Sequence, residues 1–367
     1  MSDFSVDDMT TKTLFDPVAL SGLQLPNRVV MAPMTRVRAD AGGLANSLMA
    51  TYYGQRASAG LIISEGVHPS AVGQSNPGTP GLHTDEQTAS WHQVTEQVHD
   101  AGGRIFAQIM HAGRISHEQT TGHQPVAPSA IRYDAAVFTP SGPQPASMPR
   151  ELPTSEVPQH AESYAAAARR ALDAGFDGVE LHGANGYLIN QFLSSNVNQR
   201  TDAYGGSVTG RIRFAVEAAA ATVDAVGATR VGIRLSPGAG IQGIEEHDVA
   251  ELYTALLVEL ASLDLAYLHL ETGAADEVLD GFRRTWPGTL IMNPSNPNSP
   301  QRTERAAADE WLGRGADLVS FGRAFIANPD LVSRLRHGAP LAADDPKTHY
   351  VGGENGYTSY PPHPRAA

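Results

Sequence analysis

Short runs of Val, Ile and Leu recur between residues 28 and 336, and most are followed by a stretch whose apolar residues return every three or four positions. The short runs have the length of strands, and the longer stretches have the period of helices with one buried face. This reading predicts strands over 28–31, 60–64, 104–110, 178–182, 230–236, 266–271, 289–293 and 317–322. Helices are expected over 47–58, 84–101, 207–226, 247–263, 277–286 and 302–312, with a final one around 329–336. A further helix starts at Ser155 as its cap, carries the stripe Val157, Ala161, Tyr164, Ala168 and Leu172, and stops at Gly175. Before the first strand, 14–25 reads as a small hairpin with Ser21-Gly22 as a turn signal. Eight strand–helix alternations predict an α/β chain folded as a single closed (β/α)8 barrel with right-handed crossovers, one domain over 1–367.

Two stretches break the rhythm. From residue 111 to 154 there is no clean periodicity and prolines recur, the mark of a long lid or binding loop. Val126, Ile131, Tyr133, Val137 and Phe138 give it apolar anchors, so it is expected to form an ordered cover over the active site. The tail, 346–367, places Tyr350, Tyr357 and Tyr360 among glycines and is expected to pack back near the site. Residues 1–12 are expected to be flexible.

Composition narrows the chemistry. The chain has no cysteine, which excludes disulfides, a cysteine nucleophile and Cys-ligated zinc or iron–sulfur sites. Its only lysines are Lys12 and Lys347, near the two ends, so no central strand can offer a Schiff-base lysine. A net charge of −13 argues against nucleic acid or an anionic membrane as partner. No apolar run approaches the ~18 residues of a membrane span, and the acidic N-terminus is not a signal peptide. A cytoplasmic location is expected.

In a barrel the reactive residues gather where strands end. The fourth strand, G-V-E-L-H, alternates apolar Val179 and Leu181 with Glu180 and His182 and runs into the turn G-A-N-G-Y. His182, Asn185 and Tyr187 thus crowd one strand end, either as a site that grips and protonates a small molecule or as a packed polar cluster. Arg234 and Arg323 close two other strands, the second beside Gly322, which favours a phosphate-bearing ligand. Gly238 to Gly243 spells G-x-G-x-x-G, but Pro237 and the acidic start of the next helix, Glu245, Glu246 and Asp248, speak against a dinucleotide turn. A zinc site built from His111, His182, His269 and Glu271 is a further alternative, weakened by the lack of H-x-H and H-E-x-x-H.

Several segments, in order along nearly the whole chain, resemble the Old Yellow Enzyme family of flavin-dependent ene-reductases. They are N-R-V-V-M-A-P-M-T-R at 27–36, R-A-S-A-G-L-I-I-S-E at 56–65, H-A-G-R-I-S-H at 111–117 and G-F-D-G-V-E-L-H-G-A-N-G-Y-L-I-N-Q-F-L at 175–193. N-Q-R-T-D-A-Y-G-G-S at 198–207, F-G-R-A-F-I-A-N-P-D-L at 321–331 and G-Y-T-S-Y-P at 356–361 complete the set. The resemblance is greatest to the bacterial branch with pentaerythritol tetranitrate reductase and morphinone reductase.

The resemblance implies non-covalent FMN above the strand ends, reduced by NADPH or NADH. A ping-pong transfer then reduces the activated C=C of an α,β-unsaturated carbonyl compound, with nitro compounds or nitrate esters as further acceptors. It implies a monomer or homodimer acting on small molecules. By the same resemblance Pro33, Met34, Thr35, Ala59, Gln108 and Arg234 would bind the flavin ring, and Gly322 and Arg323 its phosphate. His182 and Asn185 would hold the substrate oxygen, Tyr187 would deliver a proton, and Met110 and Tyr357 would line the substrate pocket. Three departures stand out: Asn185 where many relatives have His, Met110 where several have Trp, and a long proline-laden stretch after Asn293 where relatives have a short Gly-rich turn.

Overall fold

The computed structural model describes residues 12–294 and 302–364; the expected flexible stretch before residue 12, and most of the proline-laden stretch after Asn293, lie outside them. In chain order the elements begin with β1 (Val18–Leu20), β2 (Leu23–Leu25), β3 (Val29–Met31), α1 (Ser47–Gly54), β4 (Leu61–Val67), α2 (Asp85–Asp100) and β5 (Ile105–Ile109). The cover follows with α3 (Glu118–Thr121), β6 (Val126–Ala127), β7 (Ala136–Thr139), β8 (Gly142–Pro145) and β9 (Arg150–Glu151). Next come α4 (Val157–Asp173), β10 (Gly178–Gly183), α5 (Leu188–Leu193), α6 (Val208–Val226), β11 (Val231–Leu235), α7 (Val249–Ala261) and β12 (Tyr267–Glu271). The chain ends with α8 (Asp276–Thr285), β13 (Leu290–Asn293), α9 (Arg305–Gly313), β14 (Leu318–Phe321), α10 (Arg323–Ala327) and α11 (Leu331–His337).

Strands β3, β4, β5, β10, β11, β12, β13 and β14 form the closed parallel barrel, with β14 pairing back onto β3 through Val319 opposite Val29. Strand period divides the work. Val179 and Leu181 of β10 point outward into the core shared with the helices, while Glu180 and His182 turn inward. The lower interior is apolar: Val30, Leu61, Ile63, Phe106, Tyr267, Ile291 and Leu318 pack with Leu20 and Leu25 of the β1–β2 hairpin. That hairpin turns through Ser21 and Gly22, both at positive φ, and pairs in antiparallel register. Space for the two large rings is made by glycine: a Cβ on Gly178 would lie 2.5 Å from the Phe106 ring, and one on Gly232 2.3 Å from the Tyr267 ring. The apolar layer thus closes one end, and polar side chains are left for the other.

Three local expectations need correction. Ser155 does not cap α4; Glu156 occupies the N-cap without a side-chain cap bond, and Pro158 in the first turn has no N–H to satisfy. Leu172 is only half buried, the face being carried by small alanines, Ala165, Ala167, Ala168 and Ala171, which let α4 pack closely on its neighbours. In the cover, Val126 and Val137 are buried as expected, but Phe138 is 59% exposed. The β7–β8 hairpin turns Val137 toward Ile115 and Ala146, and alternation then leaves Phe138 out of that cluster, at the open edge of the cavity.

Arginines that follow β3 hold the tail. Arg38 donates to the carbonyls of His349 (2.6 Å), Thr348 (2.7 Å) and Val351 (2.6 Å), and Arg36 to those of His349 (3.0 Å) and Gly356 (2.8 Å). Both guanidinium groups are buried, and hydrogen bonds from a charged donor are worth roughly 1.5–3 kcal/mol each. Arg38→Ala is therefore expected to free the tail: limited proteolysis should cut the variant within 345–360 while the parent resists, with a loss of about 2–4 kcal/mol in urea unfolding. Equal protease resistance of the two proteins would show that the arginine does not hold the tail.

Candidate active site

A cavity of about 690 Å³ opens at the C-terminal ends of the barrel strands. It is within the size range of small-molecule and cofactor sites. From the first strand end it takes Pro33, Met34 and Thr35, from β5 and its end Gln108 and Met110, and from β10 and its turn His182, Asn185 and Tyr187. Arg234, Gly322 and Arg323 complete the residues expected from the sequence that line it.

Two expected residues do not line it. Ala59 is buried in the outer core before β4. Tyr357 is fully buried, its ring stacked on Tyr52 at 4.0 Å and flanked by the Arg36 and Arg38 guanidinium groups at 5.1 and 4.8 Å. The arginine clamp sets the tail so that His349, Tyr350 and Val351 form that wall instead. The cover supplies Tyr133, Ala136, Val137, Phe138 and Thr139, while Glu271 and Asn293 join at the ends of β12 and β13. Strand-end position was the available signal for the last two.

The polar trio is built by one tight turn. Asn185 and Gly186 both adopt the left-handed conformation, φ 58° and 79°, which Asn tolerates better than other side chains. The Asn185 N–H donates to Ser236 Oγ at 2.9 Å, and Asn190 Oδ1 accepts the Gly186 N–H at 2.9 Å. The chain thereby reverses and starts α5 at Tyr187, whose ring centroid lies 5.0 Å from that of His182. All six residues of α5 are buried, the polar Asn190 and Gln191 among them, so no alternation of an exposed and a buried face announces it. His182 Nδ1 and Asn185 Oδ1 are buried without a partner in the protein, as expected for groups kept for a ligand.

Electrostatics fixes the protonation states. Burial, with Arg234 and His269 nearby, holds His182 well below the usual imidazole range, so it is neutral. Burial pushes the Tyr187 phenol up, so it keeps its proton at neutral pH. Beneath them runs a chain of buried bonds. Gln108 Nε2 donates to Glu180 Oε1 (2.8 Å), and Glu180 Oε2 lies 2.8 Å from His269 Nδ1. His269 Nε2 lies 2.6 Å from Arg234, whose other terminal nitrogen donates to Asn293 Oδ1 at 3.0 Å. Glu271 is ion-paired with Arg234 at 3.2 Å.

The two competing readings of the sequence find no counterpart here. Among the described residues no three His, Cys, Asp or Glu side chains are grouped to hold a metal. The Gly238 N–H of the G-x-G-x-x-G stretch is taken by Glu246 Oε2 at 2.9 Å, and α7 starts only at Val249.

The chain is similar to known proteins over nearly its whole length. The NADH:flavin oxidoreductase / NADH oxidase family matches residues 13–342. The 12-oxophytodienoate reductase 7 of Oryza sativa subsp. japonica is 39% identical, with 95% of this chain and 94% of that protein covered. Among solved structures, the old yellow enzyme homologue from Zymomonas mobilis superposes with a TM-score of 0.91 at 39% identity, covering 95% and 99% of the two chains. Morphinone reductase in complex with tetrahydroNAD gives 0.90 at 44% identity, covering 95% and 97%.

Buried histidines make the protein acid-sensitive. Burial lowers His68 to about 3 and His269 to about 4, and also lowers His111 and His182. The unfolded chain takes up these protons from about pH 6.5 downward, whereas the fold refuses them. Their stabilisation is complete above 6.5 and is lost toward pH 4, about 3 kcal/mol for His269 alone. Glu65, raised by burial to about 7, acts in the opposite sense between pH 7 and 4.5. Glu246, also raised by burial, acts with Glu65, and His83 and His160, also lowered by burial, act with the other four imidazoles. Two carboxyls oppose six imidazoles, so the thermal midpoint is expected to be lower at pH 4.5 than at pH 7; an equal or higher midpoint at pH 4.5 would contradict this balance.

Proposed function

The chain belongs to the NADH:flavin oxidoreductase / NADH oxidase family, and from that premise we propose that it is an FMN-dependent NAD(P)H ene-reductase. Its substrates are α,β-unsaturated carbonyl compounds, with nitro compounds or nitrate esters as further acceptors. The observation that carries this reading is the trio at the end of β10: two side chains each with a buried polar atom that has no protein partner, and a protonated phenol, facing one cavity with Gln108 and Arg234.

The residues present suit FMN. Gln108 has its amide nitrogen engaged below, leaving its carbonyl for the cavity, and Arg234 brings fixed N–H donors. Pro33, Met34 and Thr35 supply the wall that would lie along the ring, and Gly322 and Arg323 would hold the phosphate. When bound, FMN supplies hydride-transfer chemistry that no side chain here can perform.

The protein's own groups do the rest. Neutral His182 and Asn185 each have an N–H to donate to a carbonyl or nitro oxygen, which withdraws electrons from the conjugated C=C and stabilises the charge that builds there. Tyr187 delivers its phenolic proton to the carbon beside the carbonyl, general-acid work suited to a group that stays protonated at neutral pH. The cover and the tail residues His349, Tyr350 and Val351 narrow access of water to the cavity. Met110, where several relatives have Trp, leaves a flexible wall.

Barrel, cover and tail work as one flavin-binding domain, as a monomer or homodimer in the cytoplasm, on small molecules rather than nucleic acid or membrane. The net charge of −13 supports the last point, and among the described residues no helix is long and apolar enough to cross a membrane.

The test separates the two half-reactions by stopped flow. The parent should be reduced by NADPH or NADH and reoxidised by a small enone. Tyr187→Phe should keep flavin reduction within about twofold and slow enone turnover by roughly 10²-fold or more. Equal loss in both half-reactions would remove Tyr187 as proton donor, and a parent whose flavin no enone reoxidises would remove the ene-reductase reading.

A further inference from the structure

We propose that Glu180 is a positioning residue that sets the hydrogen-bonding sense of the cavity floor, presenting the Gln108 carbonyl and the Arg234 N–H groups to the pyrimidine edge of the flavin. The inference rests on the reading that this cavity holds FMN.

Glu180 is fully buried on β10, and its carboxylate can only accept. Oε1 accepts from Gln108 Nε2 at 2.8 Å. The amide nitrogen is thereby committed downward, and the atom Gln108 has left for the cavity it lines is its carbonyl oxygen. Oε2 faces His269 Nδ1 at 2.8 Å, so that nitrogen carries the ring proton. The imidazole is neutral, lowered to about 4 by burial and by Arg234. Its Nε2 is then an acceptor for the Ser320 hydroxyl at 2.8 Å, and one Arg234 terminal nitrogen packs against the ring, 2.6 Å from Nε2 and 3.3 Å from Nδ1. Arg234 is fixed on its other branch by Asn293 Oδ1, and Asn293 in turn donates to the Ser320 carbonyl at 3.0 Å.

One carboxylate thus determines the sense of the Gln108 contact, an acceptor toward the cavity, and through His269 the place of the Arg234 guanidinium, which can only donate. A ring edge with alternating C=O and N–H groups matches that pattern. A Gln of the same shape would fill the position of Glu180 without burying a charge, which is costly unless fully partnered. It would, however, offer a donor where both neighbours already donate. Either Gln108 must reverse its amide or His269 must move its proton to Nε2 and turn an N–H against Arg234.

The experiment titrates apoprotein with FMN and with N3-methyl-FMN, which lacks the ring N–H, following flavin fluorescence. The parent should prefer FMN by about tenfold or more, the size of one hydrogen bond to a buried partner. Glu180→Gln should bind FMN more weakly and let the preference fall to within about threefold. A parent that binds both flavins equally, or a Glu180→Gln protein that keeps the parent's ratio, would overturn the proposal. A parent that binds neither flavin would instead overturn the FMN reading on which it rests. A second measurement needs no variant: the ring ¹⁵N resonances of His269 at pH 7 should report a neutral imidazole protonated on Nδ1. A proton on Nε2, or on both nitrogens, would overturn the proposal as well.

Discussion

The Glu180 carboxylate, fully buried between Gln108 and His269, is the contact on which the rest of the cavity depends. A charge in that position persists only with partners on every side, and the partners come from β5, β12 and, through His269, β11. Each neighbour's orientation follows from what a carboxylate can accept. Strands that touch only through their backbones are in this way tied together by side chains across the barrel interior, and the floor of the cavity is rigid before any ligand arrives. Rigidity of this kind is what a site that must hold a ring in one orientation needs.

Two layers share the barrel interior for physical reasons. Below, Phe106, Tyr267 and the hairpin residues Leu20 and Leu25 fill the space and keep water out. Above, the same strands present Gln108, Glu180, Arg234 and His269 one pleat further on. At the rim the turn through Asn185 and Gly186 leaves two polar atoms without partners, and the tail, clamped by Arg36 and Arg38, closes one side. His182 Nδ1 and Asn185 Oδ1 are among the buried polar atoms without a protein partner, and both residues line the cavity.

The barrel was legible because buried parallel strands of Val, Ile and Leu alternate with amphipathic helices, and that pattern needs no tertiary information. The trio and the two strand-end arginines were legible for the same reason: once strands are placed, their ends are known. What escaped depends on contacts distant in sequence. Tyr357 and Tyr350 are equally plausible pocket residues until Arg36 and Arg38 decide which carbonyls they hold, some 300 residues away. Phe138 is as apolar as Val137, and only the pairing of β7 with β8 tells which faces inward. Helix α5 is buried on every side and so has no exposed face to give it a period, and Glu180 had no reason to be charged until Gln108 and His269 stood beside it.

The central claim is that one cavity holds a flavin on the Gln108–Arg234 side and an oxygen-bearing substrate at the trio. The most direct measurement is a crystal structure of the protein grown with FMN and soaked with a simple phenol. The account predicts ring density against Thr35, Gln108 and Arg234, phosphate at Gly322 and Arg323, and the phenol oxygen within hydrogen-bond distance of His182 and Asn185. Flavin density elsewhere in the molecule, or a phenol bound in the cavity with its oxygen turned away from both residues, would contradict it.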